Sequence, residues 1–447
     1  MTKIQSSVNL RLVILGVMIL CFLIPLSMIQ NLIYDRKLTA ENAALEISSK
    51  WGGNQVVAGP FLVIPYNLKI PVSDQSSKKQ SWDYVTHYAY FLPEDVRMKA
   101  DLQTELRKRG IYEAVLYKSD LNLEGKFKTP ALSDFPKDTS YVYWDDAALV
   151  LSVSDVKGIG SEVKLNWGGK EKIFLPGGAS TGYFGTGLHT PVSWEDSEVN
   201  KKFQIRFDLK GSQSFHFVPT GKNSSFQLSA DWKDPSFDGN SLPRDRNITE
   251  QGFDSTWDSS YFGRNYPQVI TYMDGSISES IDSSKNGVKL ITPTDHYLKT
   301  ERSVKYGILI LITSFTLFFL MEVFGGVILH PIQYLLIGSA MVVFYILNLS
   351  FSEHIGFTGA YTAASIAVSL LIGYYSASVL KNSKKGILTG IYYSGLYGFL
   401  YVILSSEDQA LLLGSVALFV VLGIVMHFTR KVDWYAFGKP NENSTKN

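Results

Sequence analysis

The sequence predicts a mixed membrane protein. A large, mostly antiparallel β domain is inserted between a first transmembrane helix and a C-terminal five-helix α bundle. Three observations lead there. Leu12–Ile33 is an unbroken apolar run, and Tyr306–His354 is a second, about twice as long, free of Lys and Arg. An apolar run of about 20 residues matches the roughly 30 Å hydrocarbon core of a bilayer. Between these runs the chain is polar, rich in Gly, Ser, Asp and Tyr, and alternates apolar and polar residues with period two.

The elements follow in order. Residues 1–33 form the N-terminus and the first helix, preceded by Lys3 and Arg11. The apolar segment is too long for a cleaved signal peptide and no small-residue cleavage pattern follows, so it reads as an uncleaved signal anchor, kinked at Pro25. Asp35–Ala44 reads as a short polar helix.

Residues 34–303 form the β domain. Val96, Met98, Ala100, Leu102, Thr104 and Leu106 alternate with polar residues, as do Phe203, Ile205, Phe207 and Leu209. That pattern signals strands with one buried face, joined by Gly, Pro, Asn and Asp turns, and a sandwich or open barrel fits it.

Residues 304–430 supply five further helices: Val304–Val323, Pro331–Ser352, Tyr361–Leu380, Ile387–Leu404 and Ala410–Phe428. The total is six spans, with SFSEHIGFTG as the loop between the third and fourth. Pro331 suits a first helical turn, where its missing N–H has no partner to lose. Gly386, Gly390, Ser394 and Gly398 place small residues on one helix face, which lets a neighbour approach closely. Residues 431–447 are a polar tail, where Trp434 and Tyr435 beside Arg430 and Lys431 mark an interfacial anchor.

Basic residues set the orientation. Lys3, Arg11, Lys381, Lys384, Lys385, Arg430, Lys431 and Lys439 fall on one side, whereas SFSEHIGFTG and SSEDQ carry no Lys or Arg. The positive-inside rule places both termini in the cytoplasm and the β domain outside. Arg36, Lys37, Lys299, Arg302 and Lys305 oppose this, but they flank a long domain, where the rule is weak.

The formal net charge of +1 gives no sign of a nucleic-acid partner. Cys21, the single cysteine, lies in the first apolar run, so the β domain has neither a disulfide nor a thiolate metal site. Gly178-Ala179-Ser180-Thr181-Gly182 matches a nucleophile-elbow pattern, but YFGTGLHTP after it cannot form the helix such an elbow requires, so it reads as a turn. No phosphate-loop, dinucleotide or metalloprotease motif is present, no cofactor is expected, and the chain is not read as an enzyme. His87, His189, His216 and His296 lack ligand spacing.

The polar residues at the helix ends are the site candidates. Glu353, His354, Glu407 and Asp408 gather at the outer membrane face, and Glu322, His330, Gln333 and Tyr334 at the cytoplasmic turn. Such groups can hold a metal, a proton or lipid headgroups, or can simply be interfacial loop residues. No acidic or basic residue sits mid-span in the later helices, which counts against proton-coupled transport.

GPFLVIPY, RGIYEAVLYKSDLNLEGKF, WKDPSFDGNSLPRDRNITEQGFDSTW and YFGRNYP resemble the CreD family of bacterial inner-membrane proteins. So do VKYGILILITSFTLFFLMEV, HPIQY, LSFSEHIGFTGAY, LYGFLY, EDQALLLGS and TRKVDWY, so the resemblance covers nearly the whole chain. Ser73–Ser81 departs from it as a polar insert. The resemblance implies a role in envelope stress and integrity, tied to a two-component system, with colicin tolerance and an altered β-lactam response on excess. It supplies no catalytic residue or ligand.

The expectation is therefore a non-enzymatic protein of the inner membrane. The lipid bilayer is its solvent, and a periplasmic protein, peptidoglycan or lipid is the partner of its β domain. Two rivals remain: a small-molecule or ion transporter lined by Glu322, His330, Glu353, His354, Glu407 and Asp408, and an envelope-modifying enzyme using the outer-face carboxylates.

Overall fold

The computed structural model describes residues 8–72, 81–177, 187–194, 200–291, 296–325, 329–406 and 409–430. The chain divides into two compact units, Met1–Thr39 with Thr294–Asn447, and Ala40–Pro293.

The second unit contains two β sheets. The ten-stranded sheet is organised on the long strand Gln55–Val72. This strand pairs antiparallel with Ser81–Phe91, Thr139–Val142 and Ala148–Val153, and parallel with Ser214–Val218. The eight-stranded sheet runs Asp245–Thr249, Gly252–Ser260, Asn223–Ala230, Asp95–Arg109, Tyr112–Lys128, Asn200–Ser212, Lys164–Trp167, Lys170–Ile173. Its pairs are antiparallel except Asn223–Ala230 with Asp95–Arg109. The expected mostly antiparallel β domain is found, in sandwich form.

The inner faces of both sheets build one core. Leu62, Ile64, Leu149, Leu151 and Phe215 from the first meet Met98, Leu121, Ile205, Phe226 and Trp257 from the second. The ten-stranded sheet is also covered on its other face, where Phe61, Val63, Tyr90 and Val150 pack with Tyr266 and with Ile277 and Ile281 of a short helix, Gly275–Ser283. Strands buried on both sides read as continuous apolar runs, as in PFLVI and ALVLSV. The eight-stranded sheet instead alternates buried and exposed residues along Asp95–Arg109 and Asn200–Ser212. Its second face is left to solvent.

The first unit is helical. We label the helices of the chain α1 (Val8–Ser49), α2 (Gly275–Ser283, above), α3 (His296–Lys305), α4 (Gly307–Gly325), α5 (Pro331–Val379), α6 (Ser383–Ser405) and α7 (Ala410–Thr429). Among the described residues five of them are long and apolar enough to cross a membrane: α1, α4, α5, α6 and α7.

Three helix boundaries differ from expectation. α1 does not stop near Ile33. It continues through Pro25 and through the polar segment after Ile33, because YDRKLTAENAALEISS is dense in strong helix formers. The helix expected from Val304 is two helices, α3 and α4, meeting at Tyr306. SFSEHIGFTG is not a loop, since helix runs through it with one break at Gly356 (φ 73°, ψ 167°). Glycine bears a positive φ without Cβ strain, so one residue redirects the chain where a loop was expected.

The small-residue face of α6 packs as read over half its length. A Cβ on Gly386 would lie 2.3 Å from the Ala377 side chain, and one on Gly373 would lie 3.2 Å from the Gly390 Cα. Gly398 has nothing within 4 Å.

Candidate functional site

The open face of the eight-stranded sheet holds a trough of about 1300 Å³. Strand register builds its floor. One rung crosses six strands through Asn166, Gln204, Glu124, Arg97, Ser225 and Asp258. The next carries Lys202, Lys126, Asp95, Asn223 and Ser260. At about 4.8 Å between strands, the longer rung spans about 24 Å. The groups hold one another in place. Lys126 pairs with Asp95 at 2.8 Å, and Asn223 donates to the same carboxylate at 3.1 Å. The Lys126 hydrogen bond holds the Asp95 carboxyl below its ordinary range, against the opposing pull of burial. Arg97 lies 4.0 Å from Glu124, and Ser225 donates to Asp258 at 2.9 Å. Arg97, Lys126 and Lys202 thus balance Asp95, Glu124 and Asp258, and the remaining lining mixes amides and hydroxyls with glycines and the apolar Val96 and Phe203. Such a surface offers both donors and acceptors and has little field to gather a polyanion.

The trough lies at one end of its strands. At about 3.3 Å per residue, Arg97 is about 33 Å along its strand from Arg107. Arg107 sits over the ring of Trp51, just beyond the end of α1, at 4.8 Å. At the same end Arg109 pairs with Glu46.

In the helical unit, the candidates Glu322, His330, Gln333 and Tyr334 separate into two groups. His330 and Gln333 cap α5: the His330 N–H donates to Gln333 Oε1 at 2.9 Å, and Ile332 N–H donates to His330 Nδ1 at 3.2 Å. This is a capping box. Tyr334 instead donates to Glu322 Oε2 at 3.1 Å, while Arg11 of α1 donates to Glu322 Oε1. Glu322 is buried, with a side chain 5% exposed.

Among the outer-face candidates, Glu353 accepts from Tyr297 of α3 at 3.1 Å, and Arg36 of α1 stands 4.0 Å away. His354, the next residue, is exposed. Glu407 and Asp408 lie outside the described residues, as does the Gly178–Gly182 turn. The arginines of α1 thus meet one carboxylate near each end of its apolar stretch. Arg11 and Arg36 are about 37 Å apart along α1 at 1.5 Å per residue, close to the thickness of a hydrocarbon core with its interfaces.

The histidines of the β unit do not gather. His87 packs beside Tyr66, and His189 Nδ1 meets the Gly177 carbonyl. His216 shares Asp238 with Lys289, each at 2.7 Å. Burial works to raise the Asp238 carboxyl, but the hydrogen bonds from Lys289 and His216 outweigh it and leave the carboxyl below its ordinary value. His296, in the helical unit, packs against Tyr297. Among the described residues no group of three or more His, Cys, Asp or Glu is placed to hold a metal.

Two features escape a reading of the sequence. Arg11 is the partner of Glu322, and its signal is an arginine at the edge of one apolar run facing a lone acid in another. The trough's signal is the contrast between alternating strands and doubly buried ones.

The sequence matches the model of the family described as inner membrane protein CreD over residues 7–435. It is similar to the inner membrane protein CreD of Escherichia coli (strain K12), with 33% identity over 430 residues, covering 96% of this chain and 94% of that protein. The chain belongs to the CreD family.

Proposed function

We propose that this protein is a multi-pass, non-enzymatic component of the bacterial inner membrane that supports envelope integrity. Its β unit stands in the periplasm and binds an envelope component in the trough of the eight-stranded sheet. Both termini are cytoplasmic and α1 is an uncleaved signal anchor. With the break at Gly356, α5 supplies two of six spans. The trough carries this reading. One sheet of the sandwich is covered on both faces, whereas the other leaves a face open that holds a trough of about 1300 Å³ with mixed polar and apolar lining. The distribution of Lys and Arg among the short connections supports the orientation.

Transport through the helices is the weaker reading, because Glu322 and Glu353 already engage Arg11, Tyr334, Arg36 and Tyr297. Complementation tests the main one. A host strain lacking the protein is given the full chain, the chain without residues 40–293, or the full chain with Arg97→Ala and Gln204→Ala. Detergent sensitivity is measured at matched membrane levels. The deletion and the paired variant are expected to leave the strain sensitive. Full protection by both would overturn the proposal.

A further inference from the structure

We infer that the trough takes a glycan strand rich in N-acetylated amino sugars, an inference that rests on the reading of the β unit as the binding unit. Four observations carry it. The longer rung is about 24 Å across, which suits an extended oligomer better than a single ring. Its charges balance, with Arg97, Lys126 and Lys202 against Asp95, Glu124 and Asp258, so a polyanion such as a nucleic acid gains little there. Asn166, Asn200, Asn223 and Gln204 line it with amides, each of which has more donor and acceptor positions than its bonds to Gly169, Asp95 or Asn122 use. Acetamide groups and sugar hydroxyls have the same dual character.

The fourth observation is aromatic. Ser260 ends its rung, and the chain passes directly into the turn Tyr261–Gly263. There Phe262 is 93% exposed, the most exposed large apolar side chain among the described residues. A sugar ring presents a face of C–H groups, and an exposed aromatic two residues beyond the last residue of the rung gives a strand that runs past the trough a surface to pack on. A peptide strand would instead seek an unpaired sheet edge for its backbone. The trough lies on a sheet face, where the backbone groups of the central strands are already paired.

The full chain in lipid nanodiscs is titrated with chitotetraose, an oligomer of N-acetylglucosamine. Maltotetraose, which lacks acetamides, and an N-acetylated tetrapeptide serve as comparisons. Saturable binding of chitotetraose is expected, with both comparisons at least about tenfold weaker. Arg97→Ala with Gln204→Ala should weaken chitotetraose about tenfold, the effect of losing one or two hydrogen bonds. Phe262→Ala, at a fully solvated position, should weaken it several-fold without moving the melting temperature.

No saturable chitotetraose binding overturns the inference, as does equal binding of maltotetraose or of the peptide, or affinity unmoved by both sets of substitutions. If chitotetraose fails while the paired trough variant still fails to complement, the glycan assignment falls and the proposed function stands. If the paired variant protects fully, that reading falls as well.

Discussion

The pair Arg11–Glu322 ties the first helix of the chain to α4, and its removal has a calculable effect. Replacing Arg11 with Met leaves Glu322 buried with only Tyr334 donating to it. Breaking a buried ion pair by removing one partner costs about 3–5 kcal/mol. The Arg11 side chain keeps 25% of its exposure, which places the cost near the lower end. For a unit of this size, about 3 kcal/mol corresponds to a fall in melting temperature of about 6–12 °C. Glu322→Met should cost a similar amount, since it removes the carboxylate that both Arg11 and Tyr334 donate to. The double variant removes both charges and should recover most of the loss, giving a coupling of about 2–3 kcal/mol. Thermal unfolding of the full chain in nanodiscs, followed by intrinsic fluorescence, reads all four proteins. If Arg11→Met melts within about 2 °C of the parent, or if the double variant falls by the sum of the singles, the pair does not hold the helices together.

Other outcomes follow from the geometry. Asp101, Asp120 and Asp208 stand directly opposite one another on three adjacent strands; like charges so placed repel, and Asp120→Asn should raise stability by about 0.5 kcal/mol in denaturant unfolding, whereas a loss would show the row is held by compensating contacts. Burial raises Tyr90 to about 12, with Tyr88 adding to it, and also raises Tyr117 and Tyr266. These phenols stay neutral in the fold but ionise near pH 10 when unfolded. Stability is therefore intact below pH 10 and falls above it, by up to about 1.4 kcal/mol per pH unit for each tyrosine kept protonated. Tyrosinate absorbance should then show a cooperative step between pH 10 and 12, and a smooth titration centred on pH 10 would contradict the burial. A Cβ on Gly338 would lie 2.3 Å from the Phe22 ring, so Gly338→Ala should destabilise by about 1–3 kcal/mol, and Phe22→Leu in the same chain should restore part of it. Finally, with Cys21 changed to Ser, Phe262→Cys should react with a membrane-impermeant maleimide in intact spheroplasts, and labelling only after lysis would reverse the proposed orientation.

Much of this architecture is legible in the residues. The alternation of Val96 to Leu106 and of Phe203 to Leu209 marks strands with one solvated face, and those strands lie in the open sheet. The doubly buried strands carry no such period, so their sheet is recognised only by its apolar runs. The break falls where SFSEHIGFTG reads as one, but Ser, Glu, His and Gly together resemble a loop, whereas a single glycine suffices once its φ turns positive. The trough was out of reach for a different reason. Its rungs join residues as distant as Asp95 and Ser260, and only strand register brings them side by side. Glu322 and Tyr334 are close in sequence, yet the third member of their cluster is Arg11, at the other end of the chain.

That last distance has a consequence in time. Arg11 and Glu322 are 311 positions apart. At a synthesis rate of about 5–20 residues per second, α1 exists for about 15–60 s before its acidic partner is made. Throughout that interval the arginine sits at the membrane before Glu322 exists. A guanidinium in mid-bilayer would be expelled, but one near the helix end can extend to the headgroups and wait. The position of Arg11, at the mouth of the first apolar run rather than within it, is what allows the helix to be inserted long before the bundle that receives it has been translated.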